Sequence, residues 1–215
     1  YPEIENKIFY RTYTSVDEKL FKPLHNIKKN KSIVFGHLGS VDTAYDVEII
    51  YKFINKLLKI DNNIKLIIIN EDKHDYLFNL KKTYQIDDSN IEIKFVDRSK
   101  LNEEINKIDI CIFFAKNNFS IKGSFPTKIS EVLLVGKPII CNDFNSEISN
   151  LILKNKVGII YDFDLLNNKI NIYNEIMNII NENNINLRCR DVAKKELSFD
   201  KSIELYKKIL FNLLN

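Results

Sequence analysis

The sequence predicts an α/β fold built on a doubly wound, parallel, six-stranded sheet of the Rossmann-like kind, and three observations carry that expectation. The runs LIII (Leu66–Ile69) and ICIFFA (Ile110–Ala115) are continuously apolar, as strands buried on both faces of a parallel sheet must be. Six such runs alternate with segments whose apolar residues recur at helical spacing, the pattern of βα repeats. Between Gly123 and Asn142 the chain reads GSFPTKISEVLLVGKPIICN. There Pro126 opens a helix, Gly136 closes it and Pro138 leads into a strand, each residue used where its backbone suits it.

The elements follow in order. Residues 1–30 are mixed and polar, with Phe21-Lys22-Pro23 near their end, and read as a linker or the tail of a preceding unit. Ser32–Leu38 is the first strand. Ala44–Ile60 is a helix on the spacing of Val47, Ile50, Ile54, Leu57 and Leu58. Strand Ile64–Ile69, helix His74–Tyr84 and strand Ile91–Val96 come next, then a short helix Ser99–Asn106 and strand Ile108–Ala115. Helix Thr127–Val135, strand Pro138–Asn142, helix Ser146–Lys154 and strand Val157–Tyr161 continue the alternation. Helices near Leu165–Glu182, Ile185–Leu197 and Asp200–Leu214 end the chain.

In this architecture the first and fourth strands lie side by side and send their connections opposite ways, so ligands bind at their carboxyl ends. Two polar, glycine-bearing connections flank that crevice: Gly36-His37-Leu38-Gly39-Ser40, and Lys116 to Lys128. The first has no GxGxxG, so a dinucleotide fingerprint is absent; its glycines serve either a tight turn or the close approach of backbone to a phosphate. The second ends at a helix start, whose N–H groups suit an anion. Lys116, Lys122 and Lys128 surround a diphosphate in this reading, with a solvated surface as the rival for each. Glu131, on the side of the helix that bears Thr127 and Lys128, either accepts from sugar hydroxyls or answers the helix dipole.

Composition narrows the classes. The chain has 215 residues, 45% of them hydrophobic and 28% charged, with 32 basic against 29 acidic side chains for a net charge of +3. That is enough apolar material for one domain and some extra. No basic block or basic aromatic stripe occurs, so nucleic acid is not an expected partner. Cys111, Cys141 and Cys189 form no CxxC, which fits a reducing cytoplasm. No apolar run reaches the ~20 residues that span a bilayer. Asn30-Lys31-Ser32 and Asn118-Phe119-Ser120 match the glycosylation sequon without a signal peptide before them. The chain opens at Tyr1, from which a fragment or processed product is expected. His25, His37 and His74 lack ligand-like spacing, and Asp162-Phe163-Asp164 reads as helix capping rather than a metal pair, so no metal and no cofactor is expected.

From about Val16 to Tyr206 the chain resembles the C-terminal half of a GT-B glycosyltransferase of glycosyltransferase family 4. VDEKLFKP (Val16–Pro23) is similar to the family's segment leaving the N-terminal domain, and GHLGS with Tyr45-Asp46 to its first-strand loop. SFPTKISEVLLVGKPIICND matches the helix of its donor site, and VGIIYD its last strand. The resemblance implies residues 31–197 as a nucleotide-sugar-binding domain and 198–215 as a helix packing back toward a missing N-terminal acceptor domain. It implies a retaining, metal-independent enzyme of surface polysaccharide or glycan synthesis, with a nucleotide-diphosphate sugar as donor and a carbohydrate or glycolipid as acceptor. Peripheral membrane contact of the full enzyme belongs to the same expectation. The implied donor set is Gly36, His37, Gly39, Ser124, Thr127, Lys128 and Glu131, with catalytic residues unassigned and the fragment alone inactive. The sequence departs from the family in two places: Ser124 stands where many members carry a second Glu, and His37 where an Arg is common. A non-catalytic nucleotide-sugar-binding module and a nucleotide-sugar epimerase are the alternatives, and a nicotinamide-binding domain comes last.

Overall fold

The computed structural model describes residues 13–24, 32–41, 43–71, 74–163 and 169–214. All six expected strands are present: β1 (Ile33–Leu38), β2 (Ile64–Ile69), β3 (Ile91–Lys94), β4 (Ile110–Phe113), β5 (Ile139–Cys141) and β6 (Gly158–Ile160). They form one sheet in the order β3-β2-β1-β4-β5-β6, with every pair parallel. The order reverses between β1 and β4, as the doubly wound pattern requires. Phe35 pairs with Ile110 and Gly36 with Cys111 across that switch.

Both faces of the sheet are covered, which is why β4 and β5 are apolar throughout, whereas the edge strand β3 carries Glu92 and Lys94. Val34, Leu38, Cys111, Phe113, Ile139 and Cys141 contribute to one core. It is shared with α3 (Arg98–Asn106), α5 (Thr127–Val135), α6 (Ser146–Asn155) and α8 (Ile185–Leu197). Phe35, Leu66, Ile68, Ile110, Ile112 and Ile140 contribute to the other, with α1 (Val47–Leu58), α2 (His74–Thr83) and Ile176 of α7 (Lys169–Ile180). The alternation of neighbours along β4 and β5 between the two cores is the strand's period of two made visible.

Helix boundaries follow local chemistry. α1 starts at Val47 rather than Ala44, because Asp46 caps it by accepting from Ile49 N at 3.2 Å. The chain before it is drawn off to the segment that follows β4: Asp46 N donates to Phe114 O at 2.8 Å and Lys116 N to Ala44 O at 3.0 Å. α5 has its expected bounds, with Pro126 as N-cap and Gly136 as a left-handed C-cap at φ 88°. A side chain at Gly136 would meet Asn186 O at 2.8 Å, so the turn and the packing of α8 both need glycine. A one-turn helix α4 (Phe119–Lys122), capped by Asn118, interrupts the connection read as a loop.

Residues 1–30, read as a linker or tail, pack on the folded unit where the segment is described. Val16 and Phe21 are buried core residues, and Val16 N donates to Leu197 O at 3.3 Å. Lys22 N and Leu24 N donate to the side-chain oxygens of Asn102 and Asn106, at 2.9 and 2.8 Å. Residues 13–24 are thus part of the folded unit; residues 1–12 and 25–31 lie outside the described residues. The last helix, α9 (Phe199–Leu214), packs on α8. It leaves Phe199, Tyr206, Leu210 and Leu214 exposed along one side.

Candidate functional site

At the carboxyl ends of β1, β2 and β3 an open cleft of about 340 Å³ is lined by Leu38, Gly39, Ser40, Asn70, Phe95 and Lys128, among others. Its floor is laced by backbone bonds: Gly39 N donates to Ile69 O at 3.3 Å and Asn70 N to Lys94 O at 3.1 Å. The Asn70 side chain adds a bond to Gly39 O at 2.7 Å. Gly39 sits at φ 138°, in the region that glycine alone adopts readily. A side chain there would strike Tyr45 Cε2 at 2.8 Å. The bend after β1 and the first turn of α5, read separately from the sequence, therefore meet at one cleft.

α5 brings Lys128 to that cleft and Glu131 to the protein interior. The helix is wedged between α3, α8 and β5, so everything from Ile129 to Val135 is buried. Glu131 has no exposed surface. Its charge is answered on both oxygens: Lys128 Nζ lies 2.8 Å from Oε2 and Arg98 Nη1 lies 3.0 Å from Oε1. Pairing of both oxygens is what allows a carboxylate to be buried. Arg98 itself is held from below, its guanidinium 5.5 Å from the centre of the buried Phe21 ring, a cation–π contact. Phe21 is fixed in turn by Arg190 Nη1, which donates to Phe21 O at 3.2 Å and to Leu134 O at 2.6 Å.

Ser124 and Thr127 are half-buried at the mouth of α5. Ser124 Oγ donates to Ile121 O at 3.1 Å, closing the turn that leads into the helix. Asn145 secures that turn by donating to Lys122 O at 2.8 Å and Ser124 O at 3.0 Å, while its Oδ1 caps α6. Of the first-turn N–H groups, that of Ile129 donates to Pro126 O at 3.1 Å; helix geometry gives those of Thr127 and Lys128 no internal carbonyl partner, and Pro126 has no side-chain group to cap them. Lys116 and Lys122 are not among the residues lining the cleft.

Two expected donor residues are packed inside β1. Gly36 lies inside β1, where a side chain would meet Ile108 Cδ1 at 2.2 Å; it is glycine because Ile108 packs on the strand. His37 is also in β1, with 0% exposure. Its Nδ1 is 3.0 Å from Ile112 O, and because a carbonyl only accepts, Nδ1 carries the proton. Nε2 has no hydrogen-bond partner among the described residues. Tyr45 packs edge-on against the ring at 5.1 Å and Phe113 at 6.2 Å between centroids. Burial lowers the His37 pKa to about 4, against a smaller upward pull from the Ile112 carbonyl. The imidazole is sealed within β1 and is not among the residues lining the cleft.

The three cysteines are buried thiols, and burial raises the pKa of each. Raised thiols are poor nucleophiles. Among the described residues no group of three or more His, Cys, Asp or Glu is arranged to hold a metal ion; Asp164 of the Asp-Phe-Asp run lies outside them. No helix among them is long and apolar enough to cross a membrane. Arg98 is the site residue that sequence reasoning missed. It lies 33 positions from Glu131, with no local pattern to connect the two.

The family described as "Glycosyl transferases group 1" matches residues 17–196, and the chain belongs to it. Its fold is that of the C-terminal half of a GT-B glycosyltransferase. Sucrose-phosphate synthase from Thermosynechococcus elongatus is similar at a TM-score of 0.72 and 14% identity, over 94% of this chain and 51% of that one. HepE from Anabaena, solved with UDP and glucose, is similar at a TM-score of 0.70 and 14% identity, over 95% and 56%. The separately crystallised C-terminal domain of the group 1 glycosyl transferase LpcC from Francisella tularensis gives 0.64 and 16%, over 86% and 99%. The chain thus spans about half the length of the first two proteins. A sequence comparison with curated proteins finds no match.

Proposed function

We propose that this chain is the donor-binding half of a retaining glycosyltransferase. In this reading it moves a sugar from a nucleotide-diphosphate sugar to a carbohydrate or glycolipid acceptor in surface polysaccharide or glycan synthesis. The observation that carries the reading is the meeting of the Gly39 bend and Lys128 on one cleft at the carboxyl ends of β1, β2 and β3. Family membership and the nucleotide in the HepE structure support it. The diphosphate lies between the Gly39 loop and the α5 mouth, with Ser124 and Thr127 beside it, and Glu131 accepts from the ribose hydroxyls. Gly36 and His37 drop out of the donor set because they are packed inside β1.

Chemistry then rests on stabilising the departing diphosphate. Lys128 and the first-turn N–H groups of α5 face the charge that grows on it, and fixed donors at a developing charge are an effective means of lowering a barrier. Metal independence and the cytoplasm as the place of reaction belong to the same reading and rest on the family resemblance. The acceptor site and a contact with the membrane surface fall to a further domain, toward which the exposed side of α9 turns; this half alone does not transfer.

A thermal-shift screen of UDP-, GDP- and ADP-sugars tests the reading, because a ligand of the native state raises the melting temperature. One nucleotide series is expected to raise it, and Lys128→Gln to weaken that ligand by roughly tenfold while the fold persists. If none of the three series moves the melting temperature at millimolar concentration, the cleft is not a donor site.

A further inference from the structure

Lys128 cannot serve a diphosphate and Glu131 equally. A cation 2.8 Å from a buried carboxylate has its field largely cancelled, so an anion in the cleft feels little of it. Moving the ammonium away restores the field but strips Glu131 of one partner, and an unpaired buried carboxylate is heavily penalised. The second cation removes that obstacle. Arg98 already holds Oε1 at 3.0 Å from α3, and it is not itself among the residues lining the cleft. Although 61% of its side chain is exposed, the ring of Phe21 supports the guanidinium. Lys128 has a flexible four-carbon stem and no such support, and it sits at the cleft wall.

We propose that Arg98 is a positioning residue, the fixed counter-charge of Glu131 that lets Lys128 transfer from Oε2 to the diphosphate of a bound nucleotide. The exchange balances. Before binding, one carboxylate holds two cations; afterwards Arg98 keeps the carboxylate and Lys128 the diphosphate. Departure of the ammonium also uncovers Oε2, which is sealed in the free protein, so that a ribose hydroxyl can donate to it. Diphosphate and ribose recognition are thereby coupled through one side chain. The inference rests on the nucleotide-sugar reading above.

The test uses calorimetric binding of UDP, GDP and ADP to the 215-residue chain, carrying forward whichever binds against its own nucleoside. The ratio of the two affinities isolates the diphosphate's contribution. Arg98→Gln is expected to lower that ratio by about tenfold or more, since Lys128 must then stay on Glu131. Glu131→Gln, which frees Lys128 at the outset, is expected to leave the ratio at or above the wild-type value. Combining the two is expected to restore the ratio to the Glu131→Gln level, a rescue that neither a direct Arg98–phosphate contact nor a folding defect produces.

An Arg98→Gln ratio within twofold of wild type overturns the inference, as does a double variant as weak as Arg98→Gln alone. Should Arg98→Gln fail to fold, the double variant, which buries no carboxylate there, is compared with Glu131→Gln. Equal ratios support the exchange and a lower one overturns it. Failure of the wild-type chain to bind any of the three diphosphates removes the nucleotide reading and the inference with it; normal wild-type binding with unmoved ratios removes the inference alone.

Discussion

Glu131 and His37 are both sealed from solvent, yet the fold treats them in opposite ways. Each oxygen of Glu131 faces a cation. His37 gives up its charge, satisfies one nitrogen and leaves the other bare against aromatic rings. Tyr45 stands between the two settings, packed on the His37 ring and bordering the Gly39 bend that lines the cleft. The paired charge stands beside the cleft through Lys128, whereas the unpaired polar atom is placed where solvent does not reach it. Burial by itself therefore says little about function, and the partners decide.

The largest expected effect breaks the charged side of this contrast. Removing both cations, as Arg98→Gln with Lys128→Gln, strands the carboxylate and should cost about 3–5 kcal/mol of folding stability. Urea denaturation measures it, and a loss under about 1 kcal/mol would mean that Glu131 finds water after all.

A somewhat smaller effect probes the neutral side. The folded His37 pKa is about 4 against an ordinary 6.5, so between those values the unfolded chain takes up a proton that the native state refuses. Stability should fall as pH drops from about 6.5 toward 4, by about 3 kcal/mol in all. The stability difference between wild type and His37→Phe, followed from pH 7.5 to pH 4, isolates this contribution; a flat difference would show that the imidazole is not sealed.

The smallest effect tests the wall between the two. Gly39→Ala forces an L residue to φ 138° and presses on Tyr45, which should cost about 1–2 kcal/mol. A thermal melt indistinguishable from wild type would mean that the bend relaxes freely.

The sheet was legible because apolar runs such as Leu66–Ile69 have no other use in a chain of this composition. α5 was legible to the residue because Pro126 and Gly136 each admit few backbone conformations. What escaped was what depends on distant partners. Nothing near His37 says that Phe113 and Tyr45 will close over it, so a glycine-flanked histidine looked like part of a loop. Nothing near Arg98 points to Glu131, and the polar stretch around Phe21 hid a core residue that supports the guanidinium. Local sequence fixes backbone preference; the identity of a buried group's partner is a tertiary fact.

The stretch just before Val16 is tied to the mouth of α5 at two points. Thr14 Oγ1 donates to Phe125 O at 2.8 Å, and Ser130 Oγ donates to Thr14 O at 3.0 Å. Tyr13 rests its ring on Phe125, 4.8 Å between centroids. Tension on the polypeptide upstream of Tyr13 would arrive first at the Phe125 carbonyl, two residues from Thr127, like a drawstring threaded through the rim of a purse.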